Sequence, residues 1–272
     1  MSEGNIREKE AALRAYVRGL GSLAVAFSAG VDSTFLLKIA HEELGDRCLA
    51  VTGRSPAFPA GEREEAGAFC EAEGIRQVFF DTGELGNEIY VSNPKDRCYH
   101  CKKIIFSKIK AIAAEHGMEY VAEGSNVDDL GDYRPGLRAI DELEILSPLR
   151  EAGLTKAEIR TLSKELQLPT WDKPSAACLA SRIPYGERIT AEKLAMAGGG
   201  EALLHDLGFR QCRVRVHGQV ARIEVPSEEI ARLADPAVRA ALVPAFRKLG
   251  FLYVTCDLQG YRMGSLNEAI GK

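Results

Sequence analysis

Apolar and polar positions alternate along the first half of the chain with two different periods. Residues 6–19 repeat apolar side chains every three to four positions, which predicts an amphipathic helix. Beyond residue 20, short apolar runs bounded by polar or glycine-containing turns predict buried strands, and they alternate with helical patterns. The predicted strands are 22–28, 47–52, 75–80 and 119–123, and the predicted helices are 33–44, 60–73 and 100–116. This alternation favours an α/β fold in which helices cover a Rossmann-like parallel sheet.

The pattern changes after a loop-rich stretch that contains Pro169, Pro174 and Pro184. Before this stretch, Thr155 and Glu158 have the spacing of a capping box, which predicts a helix that ends near residue 166. The elements predicted after it are helices at 190–206, 227–233 and 236–249, and strands at 210–217, 220–225 and 251–257. Three glycines at 198–200 are expected to break the first of these helices. We therefore predict a first domain at 1–187 and a smaller α+β domain at 188–272.

Composition and charge exclude several classes of protein. The chain has 272 residues, of which 46% are hydrophobic and 27% charged, as in globular proteins with ample core. No apolar run approaches the roughly 20 residues needed to span a membrane, and the charged first 20 residues lack the apolar core of a signal peptide. The net charge of −4 does not indicate a nucleic-acid-binding surface. We expect a cytoplasmic protein with no membrane or nucleic-acid partner and with reduced cysteines.

A loop of small residues, Ser28–Ser33, separates the first predicted strand from the next helix. The backbone N–H groups of such a turn, together with the helix dipole, form a site for anions. A phosphate or pyrophosphate is therefore expected beside Ser28, Gly30 and Ser33. The P-loop pattern with its lysine is absent, and so is the Rossmann G-x-G-x-x-G pattern. The alternative is an ordinary strand-to-helix turn with a serine as N-cap.

The loop sequence Ser28-Ala29-Gly30-Val31-Asp32-Ser33 resembles the S-G-G-x-D-S signature of the PP-loop ATP pyrophosphatases. Members of this superfamily split ATP between the α and β phosphates, transfer AMP to an acceptor and release pyrophosphate. The resemblance implies that this loop binds ATP and that the domain has the adenine nucleotide α-hydrolase fold. Ala29 departs from the signature, which has glycine there. If residue 29 takes a positive φ, alanine costs about 1 kcal/mol or a little more.

Two further loops follow predicted strands and are expected at the same end of the sheet. One runs over residues 81–97, and the other is Glu123–Asp129. Mg²⁺ is needed to offset the charge of a triphosphate, and Asp32 is its candidate ligand, with Asp128 or Asp129 in support. Asp32 is thereby also a candidate catalytic residue. Helix capping or turn formation is the alternative interpretation of the two later aspartates.

Three of the seven cysteines lie in segments that suggest chemistry. Cys98 and Cys101 form a C-x-x-C just before a predicted helix, and Cys178 follows in a loop rich in small residues and proline. Three thiolates can hold a [4Fe–4S] cluster and leave one iron open, or they can hold Zn²⁺ with His100. A redox pair, a lone reactive Cys178 and a structural role are the alternatives. The remaining cysteines lie in apolar-periodic segments and are predicted to pack as small hydrophobes: Cys48, Cys70, Cys212 and Cys256.

Basic residues in the second half suggest a phosphate site. Arg213, Arg215 and His217 alternate along one predicted strand and therefore share one face of it. This face is either a solvated sheet surface or a phosphate clamp, because paired guanidinium groups suit oxyanions. Arg182 either steadies a phosphate or an acyl-adenylate, or is a surface charge. Glu201 is expected to complete the site of the strand arginines.

Taken together, most of the chain is similar to the LarE family of ATP-dependent sulfur transferases (sulfur insertases), which make the nickel-pincer nucleotide of lactate racemase. The similarity rests on Phe27–Ser33, on Glu123–Asp129 with Asp132–Gly136, and most specifically on Ala177–Gly186. The resemblance implies that ATP adenylylates a carboxylate of pyridinium-3,5-biscarboxylate mononucleotide. Sulfur then displaces AMP and leaves a thiocarboxylate.

Members of this family differ in their source of sulfur. Some have only the cysteine that matches Cys178, and they give up its sulfur to leave dehydroalanine. Others carry three cysteines and a [4Fe–4S] cluster whose open iron binds an extra sulfide, and Cys98 and Cys101 place this chain in that group. The resemblance also implies that Arg213 and Arg215 lie near the substrate phosphate. It implies that the C-terminal domain helps to build homo-oligomers, often hexamers.

Three rival functions share parts of this chemistry. A PP-loop tRNA thiolase needs a positively charged surface for tRNA, and the acidic balance of the chain argues against it. An ATP-dependent amide-forming ligase uses the same activation but needs no cluster. A nucleotide-binding sensor has no turnover, so pyrophosphate release distinguishes it from any of the enzymes.

Overall fold

The computed structural model describes residues 3–58, 61–131, 135–174, 177–262 and 264–265. The chain forms two compact units. Unit 1 consists of residues 1–55, 61–84 and 98–176, and unit 2 consists of residues 56–60, 85–97 and 177–272.

The described helices and strands follow the predicted order along the chain. The helices are α1 Glu3–Leu20, α2 Val31–Leu44, α3 Glu62–Glu73, α4 Glu88–Val91, α5 Arg97–Glu115, α6 Gly136–Glu142, α7 Pro148–Glu151, α8 Lys156–Glu165, α9 Ala191–Asp206, α10 Ile230–Leu233 and α11 Pro236–Lys248. The strands are β1 Leu23–Ala26, β2 Cys48–Arg54, β3 Gln77–Asp81, β4 Tyr120–Ala122, β5 Arg213–His217, β6 Val220–Glu224 and β7 Tyr253–Cys256. Among the helices that the structure describes, none is long and apolar enough to cross a membrane.

Unit 1 contains a four-stranded sheet in the order β3-β2-β1-β4, and each neighbouring pair of strands is parallel. The predicted α/β fold with a Rossmann-like parallel sheet is therefore confirmed. The chain adds β2 and β3 on one side of β1 and then places β4 on the other side. The order thus reverses between β1 and β4, and parallel sheets bind ligands beside such a switch, at the carboxyl ends of the strands.

Apolar helices cover both faces of this sheet because successive strand residues point to opposite sides. Leu23 and Val25 pack with buried residues of α1, α2 and α8, such as Phe35. Ala24 faces the other way and packs with Phe106 and Ile109 of α5. With both faces covered, β1 is an uninterrupted apolar run, which is the pattern that predicted it.

The predicted capping box at the start of α8 is present. The Thr155 Oγ1 accepts a hydrogen bond from the Glu158 backbone N–H at 3.3 Å, and the Glu158 carboxylate accepts one from the Thr155 N–H at 2.8 Å. The side chain of Glu158 is only 4% exposed, and Lys9 of α1 donates to both of its carboxylate oxygens at 2.8 and 2.9 Å. These contacts lower the pKa of Glu158 despite its burial. The start of α8 is therefore fixed from two directions.

Unit 2 contains a three-stranded sheet, in which β5 and β6 are antiparallel and β6 and β7 are parallel. The prediction of a helix break at 198–200 is wrong, because α9 continues from Ala191 to Asp206. A Cβ atom added to Gly199 would lie 2.8 Å from the Leu249 Cδ2, and one added to Gly200 would lie 3.1 Å from the Phe246 Cζ. The glycines therefore allow close packing of α9 rather than ending it.

The two compact units do not divide at the sequence boundary of 187/188, which lies inside unit 2. Residues 85–97 belong to unit 2 because they bond to the loop that follows Cys178. The Asn93 side-chain amide donates to the Pro184 carbonyl at 2.7 Å, and Arg97 donates to the Ala180 carbonyl at 2.9 Å. The division of the chain into domains at 1–187 and 188–272 stays a prediction.

Candidate active site

The loop at Ser28–Gly30 connects the carboxyl end of β1 directly to the amino end of α2. The N-cap of α2 is Gly30, which has no side chain, so the alternative of an ordinary turn capped by a serine is wrong. The Ser33 hydroxyl donates to the Gly30 carbonyl at 3.2 Å and lies 3.1 Å from the Ser28 hydroxyl. The first intrahelical bond runs from Thr34 N–H to Gly30, so the amides before it have no acceptor within the helix. The loop thus has the geometry that the anion-site prediction requires, and nucleotide binding by Ser28, Gly30, Asp32 and Ser33 stays a prediction.

Ala29 has a positive φ, the backbone conformation in which an alanine is strained. Its φ is 52°, and its side chain is 1% exposed within the core of unit 1. The Lys173 ammonium donates to the Ala29 carbonyl at 3.1 Å and also pairs with Glu65. The backbone at Ala29 is therefore strained by its methyl group but held by packing and by a lysine.

A second loop, which follows β4, crosses the amino end of α2. A Cβ atom added to Gly124 would lie 3.0 Å from the Ser33 backbone nitrogen and 3.2 Å from the Asp32 Cβ, so a larger residue would push the loop away from α2 by a few tenths of an ångström. The buried Glu123 carboxylate orders the loop by accepting from Ser125 and Ser147 at 2.8 Å each. Lys102 of α5 lies 3.6 Å from the same carboxylate.

The Asp32 carboxylate has two partners in this loop region. Its Oδ1 accepts from the Asn126 side chain at 3.2 Å, and its Oδ2 forms an ion pair with Lys156 at the start of α8. The Asp128 carboxylate accepts from the Lys156 backbone N–H at 2.8 Å, and that of Asp129 accepts from the Asn126 N–H at 3.0 Å. Asp128 and Asp129 therefore make the turn and capping contacts of the alternative interpretation. A role of Asp128 toward Mg²⁺ stays a prediction.

Cys98 and Cys101 lie in the first turn of α5, which begins at Arg97 rather than near residue 100 as predicted. Residues three apart share a helix face, and the Cys98 residue is exposed while Cys101 is half-buried. The thiolate is the form of cysteine that binds iron or zinc. The donor chemistry therefore fits a metal site, although the described residues contain no group of three or more histidine, cysteine, aspartate or glutamate side chains close enough to hold a metal ion.

Cys48, Cys70 and Cys212 are 2% exposed or less, and burial raises the pKa of each of these thiols to about 12. Their predicted role as small hydrophobes is confirmed. Cys256 is half-buried at the end of β7, and burial also raises its pKa.

Cys178 is half-buried and precedes a short 3₁₀ turn, Leu179–Arg182, that the Arg182 side chain anchors. Arg182 is 1% exposed, so the surface-charge alternative is wrong. Its guanidinium donates to both Glu201 carboxylate oxygens at 2.7 and 2.8 Å, and to the Ala177 carbonyl at 3.0 Å. The pair therefore ties the Cys178 loop to α9. Contact of Arg182 with a nucleotide stays a prediction.

The arginines of β5 are not a solvated face. Arg215 is 5% exposed and donates to both carboxylate oxygens of the buried Glu224 at 3.0 and 2.8 Å, and to the Ser181 carbonyl at 2.8 Å. Burial and then the charge of Arg182 lower the pKa of Arg213. Arg215 is buried and Arg213 half-buried next to the Cys178 loop, and the clamp of Arg213 and Arg215 stays a prediction. Glu201 accepts a hydrogen bond from the Val214 N–H of β5 at 3.0 Å, and its role in completing the site of the strand arginines stays a prediction.

Sequence reasoning missed several residues of these clusters. Lys156 has no motif of its own, but it directly follows the capping residue Thr155. Asn126 lies inside the Glu123–Asp129 motif but has no distinctive pattern of its own, and no sequence pattern marks Lys173. Glu224 becomes visible only with the pairing of β5 and β6, where it lies opposite Arg213.

The reversed strand order and the Ser28–Ser33 loop at the end of β1 define a nucleotide-binding α/β protein of the PP-loop ATP pyrophosphatase class. In agreement, the chain is 27% identical over 161 residues to one chain of the glutamine-hydrolysing GMP synthase of Archaeoglobus fulgidus, covering 55% of this chain and 52% of that one. No family model matches the chain. It is 43% identical to an uncharacterised protein of Synechocystis sp., covering 96% of this chain and 97% of that one.

A further relative gives the family. The chain is 38% identical over 266 residues to the pyridinium-3,5-bisthiocarboxylic acid mononucleotide synthase of Lactiplantibacillus plantarum, covering 97% of this chain and 95% of that one. The chain therefore belongs to the family of this synthase, the LarE family, and the resemblance seen in the sequence is confirmed. Of the motifs that carried it, residues 132–134 lie outside the described residues.

Proposed function

We propose that this protein is an ATP-dependent sulfur transferase that converts a carboxylate of pyridinium-3,5-biscarboxylate mononucleotide into a thiocarboxylate. The observation that carries this proposal is the 38% identity, over nearly the full length of both chains, to a synthase named for the bisthiocarboxylic product. The Ser28–Ser33 loop supports it, because its geometry suits the pyrophosphate that carboxylate activation releases.

Activation precedes sulfur transfer because a carboxylate is a poor electrophile at neutral pH. A substrate carboxylate oxygen attacks the α-phosphorus of ATP, and the bond to the β-phosphate oxygen breaks to release pyrophosphate. The amides at the start of α2 and the hydroxyls of Ser28 and Ser33 hold the leaving pyrophosphate. Asp32 is the residue that would hold Mg²⁺, and the ion would offset the negative charge of the phosphates. Asp128 fixes the start of α8 beside this metal position.

Sulfur transfer then breaks the acyl-adenylate. Sulfur attacks the acyl carbon, and AMP leaves with the electron pair of the carbon–oxygen bond. We propose that Cys98, Cys101 and Cys178 are the residues that would hold a [4Fe–4S] cluster, which would supply an open iron as a binding position for sulfide. Family membership and the thiol pair on one face of the first turn of α5 support this assignment.

Unit 2 supplies the groups proposed to bind the mononucleotide phosphate. Arg213 and Arg215 present guanidinium groups on β5, and Glu201 and Glu224 hold Arg182 and Arg215 in fixed orientations. Arg182 keeps the Cys178 loop in place through the Ala177 carbonyl. The Cys178 loop and the proposed phosphate clamp are thus linked through Ser181, whose hydroxyl accepts from Arg182 and whose carbonyl accepts from Arg215.

We also propose a homo-oligomer, the hexamer being the assembly that the family resemblance implies, in the cytoplasm. Exposed apolar side chains support a contact between copies around β7: Leu252 is 54%, Tyr253 65% and Leu258 84% exposed. Light scattering of the purified protein tests the assembly.

The decisive experiment incubates the anaerobically purified protein with ATP, Mg²⁺, sulfide and the biscarboxylate mononucleotide. We expect AMP, pyrophosphate and a product whose mass shows the exchange of oxygen for sulfur. Release of ADP and orthophosphate instead would refute the adenylylation chemistry. Cys178→Ala is expected to keep pyrophosphate release and lose the thiocarboxylate, whereas Cys256→Ala, also in unit 2, is expected to keep both. A Cys178→Ala variant that makes the thiocarboxylate at the wild-type rate would refute the sulfur assignment.

A further inference from the structure

We propose that Lys156 occupies the metal position on Asp32 while no nucleotide is bound, and that it moves to the phosphates when Mg–ATP enters. This inference rests on the proposed function, in which Asp32 is the ligand of Mg²⁺. It assigns to Lys156 the cation that the loop itself lacks, since no P-loop lysine is present.

Both oxygens of the Asp32 carboxylate, the group proposed to hold Mg²⁺, have partners, and one of these partners is an ammonium group. The Asn126 side-chain amide donates a hydrogen bond to Oδ1 at 3.2 Å, and the Lys156 ammonium group forms an ion pair with Oδ2. The Asp32 and Lys156 side chains are 22% and 30% exposed, so an incoming ligand can reach the pair. An ammonium group and a divalent cation repel each other at this range, so Lys156 weakens the binding of a metal at Oδ2.

The backbone of Lys156 is fixed by hydrogen bonds, whereas the end of its side chain is held, among its described contacts, by the ion pair with Asp32 alone. Lys156 is the first residue of α8, its N–H donates to the Asp128 carboxylate at 2.8 Å, and the Thr155 cap precedes it. The neighbouring Glu158 is held by Lys9 of α1. The backbone position of Lys156 is therefore defined, and rotation about the bonds of its flexible four-carbon side chain allows the ammonium group to change partners.

The new partner that the proposal assigns to Lys156 is the anion site. Asp32 lies in the first turn of α2, next to the loop amides proposed to hold pyrophosphate. If the Lys156 ammonium group leaves Asp32, it remains beside these phosphates, because the Lys156 backbone at the start of α8 stays in place. The other lysines of the region have partners that the metal leaves in place: Lys173 bonds to the Ala29 carbonyl, and Lys102 lies beside Glu123.

This exchange has a thermodynamic consequence. Without nucleotide, Lys156 competes with divalent cations for Asp32 and keeps their affinity low. With nucleotide, the phosphates draw Lys156 away, and metal and ATP strengthen each other's binding. Lys156 is thus a binding residue for ATP and a competitor for the metal.

The test is a titration of the nucleotide-free protein with Mn²⁺ in place of Mg²⁺, in which free Mn²⁺ is measured by electron paramagnetic resonance. We expect Lys156→Met to bind Mn²⁺ about tenfold or more tightly than the wild type, and to bind ATP about tenfold or more weakly when Mg²⁺ is present, within the usual range of site coupling. Lys156→Gln is a second neutral variant with the same expectation. Lys156→Arg keeps the charge and is expected to match the wild type toward Mn²⁺.

Lys164→Met is the matched control, because Lys164 lies on the same helix and contacts Trp171 instead. Unchanged Mn²⁺ affinity in folded Lys156→Met and Lys156→Gln would overturn the inference. Tighter Mn²⁺ binding that persists in the Asp32→Asn/Lys156→Met double variant would also overturn it, because the metal would then lie elsewhere. The proposed role of Asp32 fails separately if Asp32→Asn retains wild-type, Mg²⁺-dependent pyrophosphate release.

Discussion

Replacing Ala29 with glycine measures the strain that the phosphate loop carries. Ala29 has a φ of 52°, in a region that costs an L-residue about 1–2 kcal/mol. Ala24 provides the matched control, since it is 0% exposed and Ala29 is 1% exposed. Ala24 lies in β1 and is not among the described residues with positive φ. The two sites therefore differ chiefly in backbone conformation.

The two Ala→Gly substitutions share two destabilising effects. Each removes a buried methyl group, which contributes about 0.8 kcal/mol, and each adds backbone freedom to the unfolded chain, at about 0.5–1 kcal/mol. Ala24→Gly is therefore expected to lower the free energy of unfolding by about 1.5 kcal/mol. At position 29, the relief of strain offsets this loss, so Ala29→Gly is expected to change the free energy of unfolding by about zero.

Urea unfolding followed by tryptophan fluorescence provides the assay. The single tryptophan, Trp171, lies in unit 1 together with both alanines, so it reports on the unit that they stabilise. Equal urea dependence of the two variants keeps the comparison valid. If Ala29→Gly loses as much free energy of unfolding as Ala24→Gly, the methyl group at position 29 causes no strain.

Three further predictions concern other sites. Cys98→Ala is expected to lose the iron and acid-labile sulfide of the anaerobically purified protein, and unchanged iron content would exclude Cys98 as a ligand. Burial raises the pKa of Glu62 to about 7, so folding favours its protonated form and wild-type stability falls as the pH rises from about 4.5 through 7. Glu62→Gln is therefore expected to have a melting temperature close to that of the wild type at pH 4.5 and a higher one at pH 8, and a constant difference would contradict the raised pKa of this half-buried carboxyl. Glu201→Ala leaves Arg182 buried without its counter-ion and is expected to cost about 3–5 kcal/mol in urea unfolding; a loss below about 1 kcal/mol would show that the Arg182 charge is solvated.

Local patterns predicted the local structure of this chain well. The apolar run of β1, the turn at Ser28–Gly30 and the capping box of α8 each depend on neighbouring residues, so the sequence displays them directly. The strain at Ala29 was conditional on one backbone angle, and comparison with the PP-loop signature pointed to the right residue.

Contacts between distant segments were not predictable in the same way. Asp32 and Lys156 are 124 residues apart, and only the placement of α8 beside α2 brings them together. The pairing of Arg215 with Glu224 requires the hairpin register of β5 and β6. The glycines Gly198–Gly200 predicted a helix break, but they lie close to side chains such as Leu249 and Phe246, which leave little room for larger residues. Only the tertiary structure shows that these glycines allow packing.

The uneven exposure of the cysteines has a practical consequence for labelling this protein. Alkylating reagents attack the thiolate, and the buried thiols at positions 48, 70 and 212 are almost entirely protonated at neutral pH because of their high pKa. A brief treatment with iodoacetamide is therefore expected to modify Cys98 first, while the buried thiols stay intact. Mass spectrometry of the digested protein, with and without reconstituted iron, then gives a footprint of the ligand set without removing a single structural cysteine.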